Sequence, residues 1–281
     1  ATVTLKVEPK QLTGLGISGL DSTWVYGTTK TPTATGVDDL GADGYEIIYS
    51  KKDSFGNYAN IGNKLPTLVG EYKATLSVKN PNYTASEASV YFEITPITTE
   101  VKVKSFDDTF TYDGTEHTKN AYDVLWANNA SPITDKKLPN GDLVTAEITG
   151  KVKDVKDTAL ENNTIEKITI TNAEGVDVTN CYSNKVKAAG KLTVNPITTP
   201  IVVTADSDTK VYNGTELTKN NYTYTDGVLL PGDMLEATIT GSQKFVGSSN
   251  NTVSNVKVMR NGEDITSNYT MGTHVNGVLE V

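Results

Sequence analysis

Apolar and polar residues alternate with period two through most of this chain. Gly70-Glu71-Tyr72-Lys73-Ala74-Thr75-Leu76-Ser77-Val78 and Ala88-Ser89-Val90-Tyr91-Phe92-Glu93-Ile94 are two such runs. The turn residues Lys79-Asn80-Pro81-Asn82-Tyr83 join them at hairpin spacing. Ile165–Ile170 and Val253–Val258 alternate in the same way, and Leu192–Val194 and Leu279–Val281 read as closing strands. Residues 1–7 also alternate like a strand and do not read as a signal peptide. Helical spacing is weak. At most one short helix is expected, the one candidate being Ala121–Asn129, with Pro132 close behind it.

The pattern is written more than once. Residues 98–122 align with 198–222 with 13 of 25 positions identical, enough to make the two segments copies. Tyr112-Asp113-Gly114-Thr115-Glu116 matches Tyr212-Asn213-Gly214-Thr215-Glu216. Asn140-Gly141-Asp142 matches Pro231-Gly232-Asp233, Asn162-Asn163-Thr164 matches Asn250-Asn251-Thr252, and Asp177-Val178-Thr179 matches Asp264-Ile265-Thr266. The offset shrinks along the alignment, so the earlier copy carries extra residues in its loops, where insertions are tolerated. Ile94-Thr95-Pro96-Ile97 recurs as Val194-Asn195-Pro196-Ile197. A proline after a strand cannot donate to a ladder, so each marks a short, stiff joint. The expected organisation is three domains, 1–96, 97–196 and 197–281. The middle one bears a loop insertion near Trp126, and the first is related in pattern only. Leu279-Glu280-Val281 aligns with Leu192-Thr193-Val194 just ahead of a linker, so a fragment of a longer array is expected. Tyr72, near the start of a penultimate strand, resembles the tyrosine corner of Greek-key sandwiches.

Composition narrows the class. The 281 residues include 42 Thr, 28 Val and 14 Tyr, types that suit a pleated, half-buried surface, so an all-β chain is expected and α/β enzyme folds are disfavoured. No apolar run approaches the ~20 residues of a membrane span. The net charge of −9 repels phosphate backbones and anionic membranes, so neither nucleic acid nor a bilayer is an expected partner. Cys181 is the only cysteine and cannot form an internal disulfide.

Chemistry-bearing residues are few. The turns Tyr112-Asp113-Gly114 and Tyr212-Asn213-Gly214 are read as structural: Asp-Gly and Asn-Gly suit tight hairpins, and the tyrosine buries its ring while its hydroxyl reaches a backbone partner. The competing reading is a tyrosine that stacks on a sugar. Gly14-Leu15-Gly16-Ile17-Ser18-Gly19 fits a dinucleotide fingerprint formally, but no helix follows, so it reads as a loop. His117 and His274 are not retained between copies, and Cys181 reads as a small packed side chain. Carboxylates gather at Asp38, Asp39 and Asp43, at Asp107 and Asp108, and at Asp206 and Asp208. They read as solvated turns, against the alternative of calcium at a joint. A Lys–Asn isopeptide crosslink is the remaining chemical alternative. Trp24 reads as core, and Trp126, in the insertion, is the candidate partner contact. No catalytic residue, cofactor-binding residue or metal ligand is expected.

The Tyr-Asp/Asn-Gly-Thr-Glu turn, the Asp-Val/Ile-Thr segment followed by tyrosine, and the Pro-Ile-Thr joint resemble the YDG/MBG-type repeats of bacterial cell-surface proteins. The first domain is similar to their relatives through Gly70, Tyr72, Asn82-Tyr83-Thr84 and Phe92-Glu93-Ile94. The resemblance implies Ig-like or β-grasp-like modules in the extracellular part of a large adhesin-like protein, and it carries no site residues. The expected whole is an elongated array of three Ig-like β-sandwiches, with β-grasp modules as the alternative for the second and third. Its expected role is a non-catalytic, monomeric stalk that supports cell adhesion from a secreted or cell-surface location. The alternatives are a module that binds a host glycan or protein, and accessory domains of an extracellular enzyme.

Overall fold

The structure, a computed structural model, describes residues 6–41, 43–128 and 131–281. It is all-β, with its strands gathered into several sheets. Among the described residues there is no α-helix, only three short 3-10 turns, Val155–Asp157, Thr179–Cys181 and Thr266–Asn268. The β-grasp alternative, which packs a helix on its sheet, is thereby set aside. The candidate helix within Ala121–Asn129 does not form. Tyr122–Trp126 forms a strand, because Tyr122, Val124 and Trp126 follow the period of a sheet and Val124 is fully buried. Asn129 and residues 1–5 of the expected first strand lie outside the described residues. The Gly14–Gly19 segment is not all loop. Gly16–Ser18 is a short strand antiparallel to Thr33–Thr35.

Two compact units result. The first takes residues up to Val103, with Val124–Thr145 and Ile168–Val186, and the second takes Lys104–Asp123, Ala146–Lys167 and Lys187–Val281. Residues of the middle repeat are thus divided between them.

The first unit is built on a five-stranded sheet. Its spatial order is Thr23–Val25, Ala88–Thr95, Gly70–Val78, Tyr45–Lys52, Tyr58–Gly62. Thr23–Val25 runs parallel to Ala88–Thr95 and the other pairs are antiparallel. Alternation puts Tyr72, Ala74 and Leu76 inside, opposite Phe92 and Ile94. Trp24 stacks on Phe92 at 4.8 Å and Tyr72 does so at 5.4 Å. Such aromatic pairs contribute ~0.5–1.5 kcal/mol beyond their buried area. The Tyr72 hydroxyl donates to the Leu68 carbonyl at 2.8 Å, four residues upstream, as a tyrosine corner does. A second small core of Leu12, Val37, Leu40 and Leu76 lies under the pair Lys10–Leu12 and Tyr83–Ala85.

The second unit carries the order Asp208–Thr209, Gly277–Glu280, Ser248–Arg260, Met234–Thr240. Asp208–Thr209 runs parallel to the closing strand, as Asp108–Thr111 runs parallel to Leu192–Asn195. Ile197–Ile201, which contains Pro200, pairs in parallel with Tyr269–Met271 through a register irregularity. Two buried asparagines pin the copies alike. Asn163 Nδ2 donates to the Phe106 and Lys119 carbonyls, and Asn251 Nδ2 donates to those of Asp206 and Lys219. Their amides serve backbone groups and no lysine amine, so the isopeptide alternative finds no support at these positions. Gly150 and Gly241 leave room for them: a Cβ on Gly150 would lie 2.4 Å from the Asn163 Cα.

Candidate functional site: paired tyrosines and aspartates at the joints

Each unit contains one place where the turn tyrosine of one repeat meets a buried Tyr–Asp pair of the next. The pair is assembled from two local devices. In the first, the Asp177 carboxylate accepts the Thr179 N–H at 2.9 Å and starts a 3-10 turn that ends on Tyr182. Asp264 does the same for Thr266 ahead of Tyr269. In both copies the threonine hydroxyl also accepts an N–H from the neighbouring strand, of Ile170 and of Val258. In the second device, a tight turn through a positive-φ glycine, Gly141 or Gly232, points the following aspartate inward.

In the first unit the Tyr182 hydroxyl donates to Asp142 Oδ2 at 2.6 Å, and Asn140 Nδ2 lies 2.8 Å from that hydroxyl and 3.1 Å from Asp142 Oδ2. Tyr182 is fully buried and Asp142 is 4% exposed. The ring of Tyr26 packs edge-on against Tyr182 at 5.9 Å and 70°. In the second unit the Tyr269 hydroxyl donates to Asp233 Oδ2 and accepts the Leu230 N–H at 3.1 Å. Arg260 Nε donates to Asp233 Oδ1, whose side chain has no exposure. Tyr112 packs edge-on against Tyr269 at 5.7 Å and 72°, with the Arg260 guanidinium over its ring at 5.8 Å. Asn268 completes this joint: its amide accepts the Val155 N–H at 2.7 Å and donates to Asp154 Oδ1 at 2.6 Å.

Burial first, and the aspartate second, push the hydroxyls of Tyr182 and Tyr269 far above the ordinary phenol range. Tyr26 is raised by burial and by the Asp142 charge. These tyrosines therefore act as donors to a carboxylate across the whole neutral range. Hydrogen bonds to an ionised acceptor are short and about twice as strong as neutral ones. The group beside the aspartate differs between the two joints: a neutral amide, Asn140, in the first and a cation, Arg260, in the second.

Tyr112 is 2% exposed and its hydroxyl has no hydrogen-bond partner, whereas Tyr212 in the same motif is 51% exposed. A backbone partner for the hydroxyl, expected from sequence, is not found at Tyr112. Gly114 and Gly214 take φ of 78° and 79°, and Asp113 and Asn213 accept the N–H and hydroxyl of Thr115 and Thr215. These are turns closed by a side chain, but not hairpins: Asp108–Thr111 and His117–Thr118 pair with other strands. His117 stacks on Phe110 at 4.4 Å and bonds to Asp113, and His274 Nδ1 accepts the Val203 N–H. Trp126 is half-buried at the end of its strand, and Trp24 is 7% exposed. Cys181 is buried, and burial raises its thiol pKa. Asp39 pairs with Lys10, Asp108 with Lys119, and Asp107 accepts the Lys191 N–H. Among the described residues no group of three or more His, Cys, Asp or Glu gathers to hold a metal ion. An open cleft of about 540 Å3 lies beside the first joint, with Trp24, Lys30, Lys64, Asn140 and Glu174 on its walls.

Sequence reasoning aligned Asp142 with Asp233 and noted the tyrosine after Cys181 and Asn268, yet did not bring the two together. The signal was available in the shared retention of an inward aspartate and a tyrosine in both copies.

No family model matches the chain and no curated protein matches it. Among solved structures it is similar to the three N-terminal domains of the bacteriophage RB49 highly immunogenic outer capsid protein. The two are 12% identical over 95% of this chain and 98% of that one, with a TM-score of 0.25. It is also similar to an I-band fragment of titin, 10% identical over 95% of this chain and 97% of that one, with a TM-score of 0.19.

Proposed function

We propose that the chain is a non-catalytic spacer, a run of β modules with hydrogen-bonded joints that belongs to the extracellular part of a larger bacterial surface or secreted protein. One observation carries this reading: the same buried Tyr–Asp pair, capped by the turn tyrosine of the preceding repeat, is built twice. In each buried pair the tyrosine hydroxyl and the aspartate are partnered, and a displaced arrangement would leave a carboxylate or hydroxyl without its partner, which favours one arrangement. That serves a spacer, and it occupies the aspartates that a reaction would need free. The cell-surface setting and a supporting role in adhesion rest on the resemblance of the turn and joint motifs to YDG/MBG-type repeats.

Single-molecule pulling on the intact chain tests the reading. A spacer gives discrete unfolding steps and recovers them on relaxation, and Asp142→Ala or Asp233→Ala lowers the force of the step that contains the altered joint. Featureless extension would refute it. So would saturable binding of a glycan or matrix protein that Trp126→Ala or a change in the Trp24 cleft abolishes.

A further inference from the structure

The two joints define a donor end of each repeat, made of the turn tyrosine and a crossing loop, and an acceptor end, made of the Tyr–Asp pair. The donor end of the last repeat is uncovered. Tyr212 is 51% exposed where Tyr112 is 2% and Tyr26 is 8% exposed. By the repeat alignment, Phe245 and Val246 correspond to Asp154 and Val155, which meet Asn268 in the second joint. Val211, Phe245 and Val246 are 89%, 66% and 81% exposed. They lie at one end of the sheet: Lys210 donates to the Glu280 carbonyl, and Gly247 and Val281 exchange two backbone hydrogen bonds. A tyrosine and three large apolar residues on adjacent turns form an uncovered apolar patch of the kind that marks an interaction surface.

We infer that this face, Tyr212 with Val211, Phe245 and Val246, is a docking surface for another β module that presents a buried Tyr–Asp pair. The occupant follows from continuity with the established joints, where Tyr26 and Tyr112 each pack edge-on against a tyrosine whose hydroxyl is held by an aspartate. Phe245 in place of Asp154 makes the third donor end more apolar than the second. An incoming module therefore gains contact area there and loses the polar contact to Asp154. The inference rests on the spacer reading and deepens it by naming the partner that this face takes.

The test extends the full chain at Val281 by a second copy of its own residues 195–281, and reads tyrosine nitration residue by residue by mass spectrometry. In the 281-residue chain Tyr212 and Tyr224 react and Tyr112 does not. With Tyr212→Phe and Tyr224→Phe in the appended copy, so that only the original tyrosines are read at these positions, Tyr212 of the extended chain loses its reactivity and falls to the level of Tyr112, while Tyr224 stays reactive. Asp233→Ala in the appended copy alone restores nitration of Tyr212. Continued reactivity of Tyr212 beside an appended copy whose long strand is protected from hydrogen exchange would overturn the inference. An appended copy that stays unprotected also counts against it, since the segment it copies folds in the parent chain behind the same Asn-Pro linker. Either failure leaves the pulling experiment, and with it the spacer reading, unaffected.

Discussion

Replacing Asp233 by alanine removes the acceptor shared by the Tyr269 hydroxyl and the Arg260 guanidinium. Breaking a buried pair by deleting one partner costs about 3–5 kcal/mol, because the other charge is left uncompensated. The Arg260 side chain is 19% exposed, so water takes up part of its charge and the lower end, about 3 kcal/mol, applies. Units of this size lose about 2–4 °C in Tm per kcal/mol, so the transition of the second unit falls by roughly 6–12 °C. Differential scanning calorimetry measures it, with hydrogen exchange assigning the transition to that unit. Tyr269→Phe removes one hydrogen bond to a carboxylate and costs about 1.5–3 kcal/mol. The double variant falls short of additivity by ~1 kcal/mol or more, because both changes remove the same bond. Asp142→Ala costs less, about 1–3 kcal/mol, since Asn140 remains 2.8 Å from the Tyr182 hydroxyl. A shift below ~2 °C for Asp233→Ala, or strict additivity in the cycle, would refute the reasoning.

Gly150→Ala places a Cβ 2.4 Å from the Asn163 Cα, where backbone has to move, and is expected to cost about 3 kcal/mol in a chemical-denaturation titration. Gly175→Ala meets open space and only a φ of 77°, so its loss stays near 1 kcal/mol. The buried tyrosines give an alkaline limit. Their folded pKa values lie above the ordinary 10.0, so their contribution is complete below that pH and is lost as pH rises beyond it. Each tyrosine that stays protonated in the folded state lowers stability by about 1.4 kcal/mol per pH unit. The first unit, where Tyr26, Tyr49, Tyr72 and Tyr182 are all raised, falls more steeply than the second, where Tyr112 and Tyr269 are, and its tyrosinate absorbance rises in one step with unfolding. A smooth titration of all tyrosines in a folded chain would contradict this.

The strands were legible because their chemistry is local. Gly70–Val78 and Ala88–Thr95 appear where alternation placed them, and Tyr72 closes the corner that its position implied. Tyr122–Trp126 was open to a helical reading because five residues with two aromatics fit either period at short length, and a buried Val124 decided for the strand. The joints were legible only in part. Asp142 and Tyr182 lie 40 residues apart, and no local rule brings such residues together. Tyr112 and Tyr212 share a motif and a turn geometry yet differ in exposure, because what covers a turn tyrosine is a neighbouring repeat and not its own sequence.

The central claim is that the joints are closed by these buried contacts, and amide exchange at Val155 and Leu230 tests it most directly. The Val155 N–H is held only by the Asn268 side chain and the Leu230 N–H by the Tyr269 hydroxyl, so both report the joint and not a strand ladder. The account predicts that both exchange no faster than the buried strand amides of the second unit, and that both quicken together in Asp233→Ala. Exchange of either amide at the rate of an open loop in the unaltered chain would contradict it.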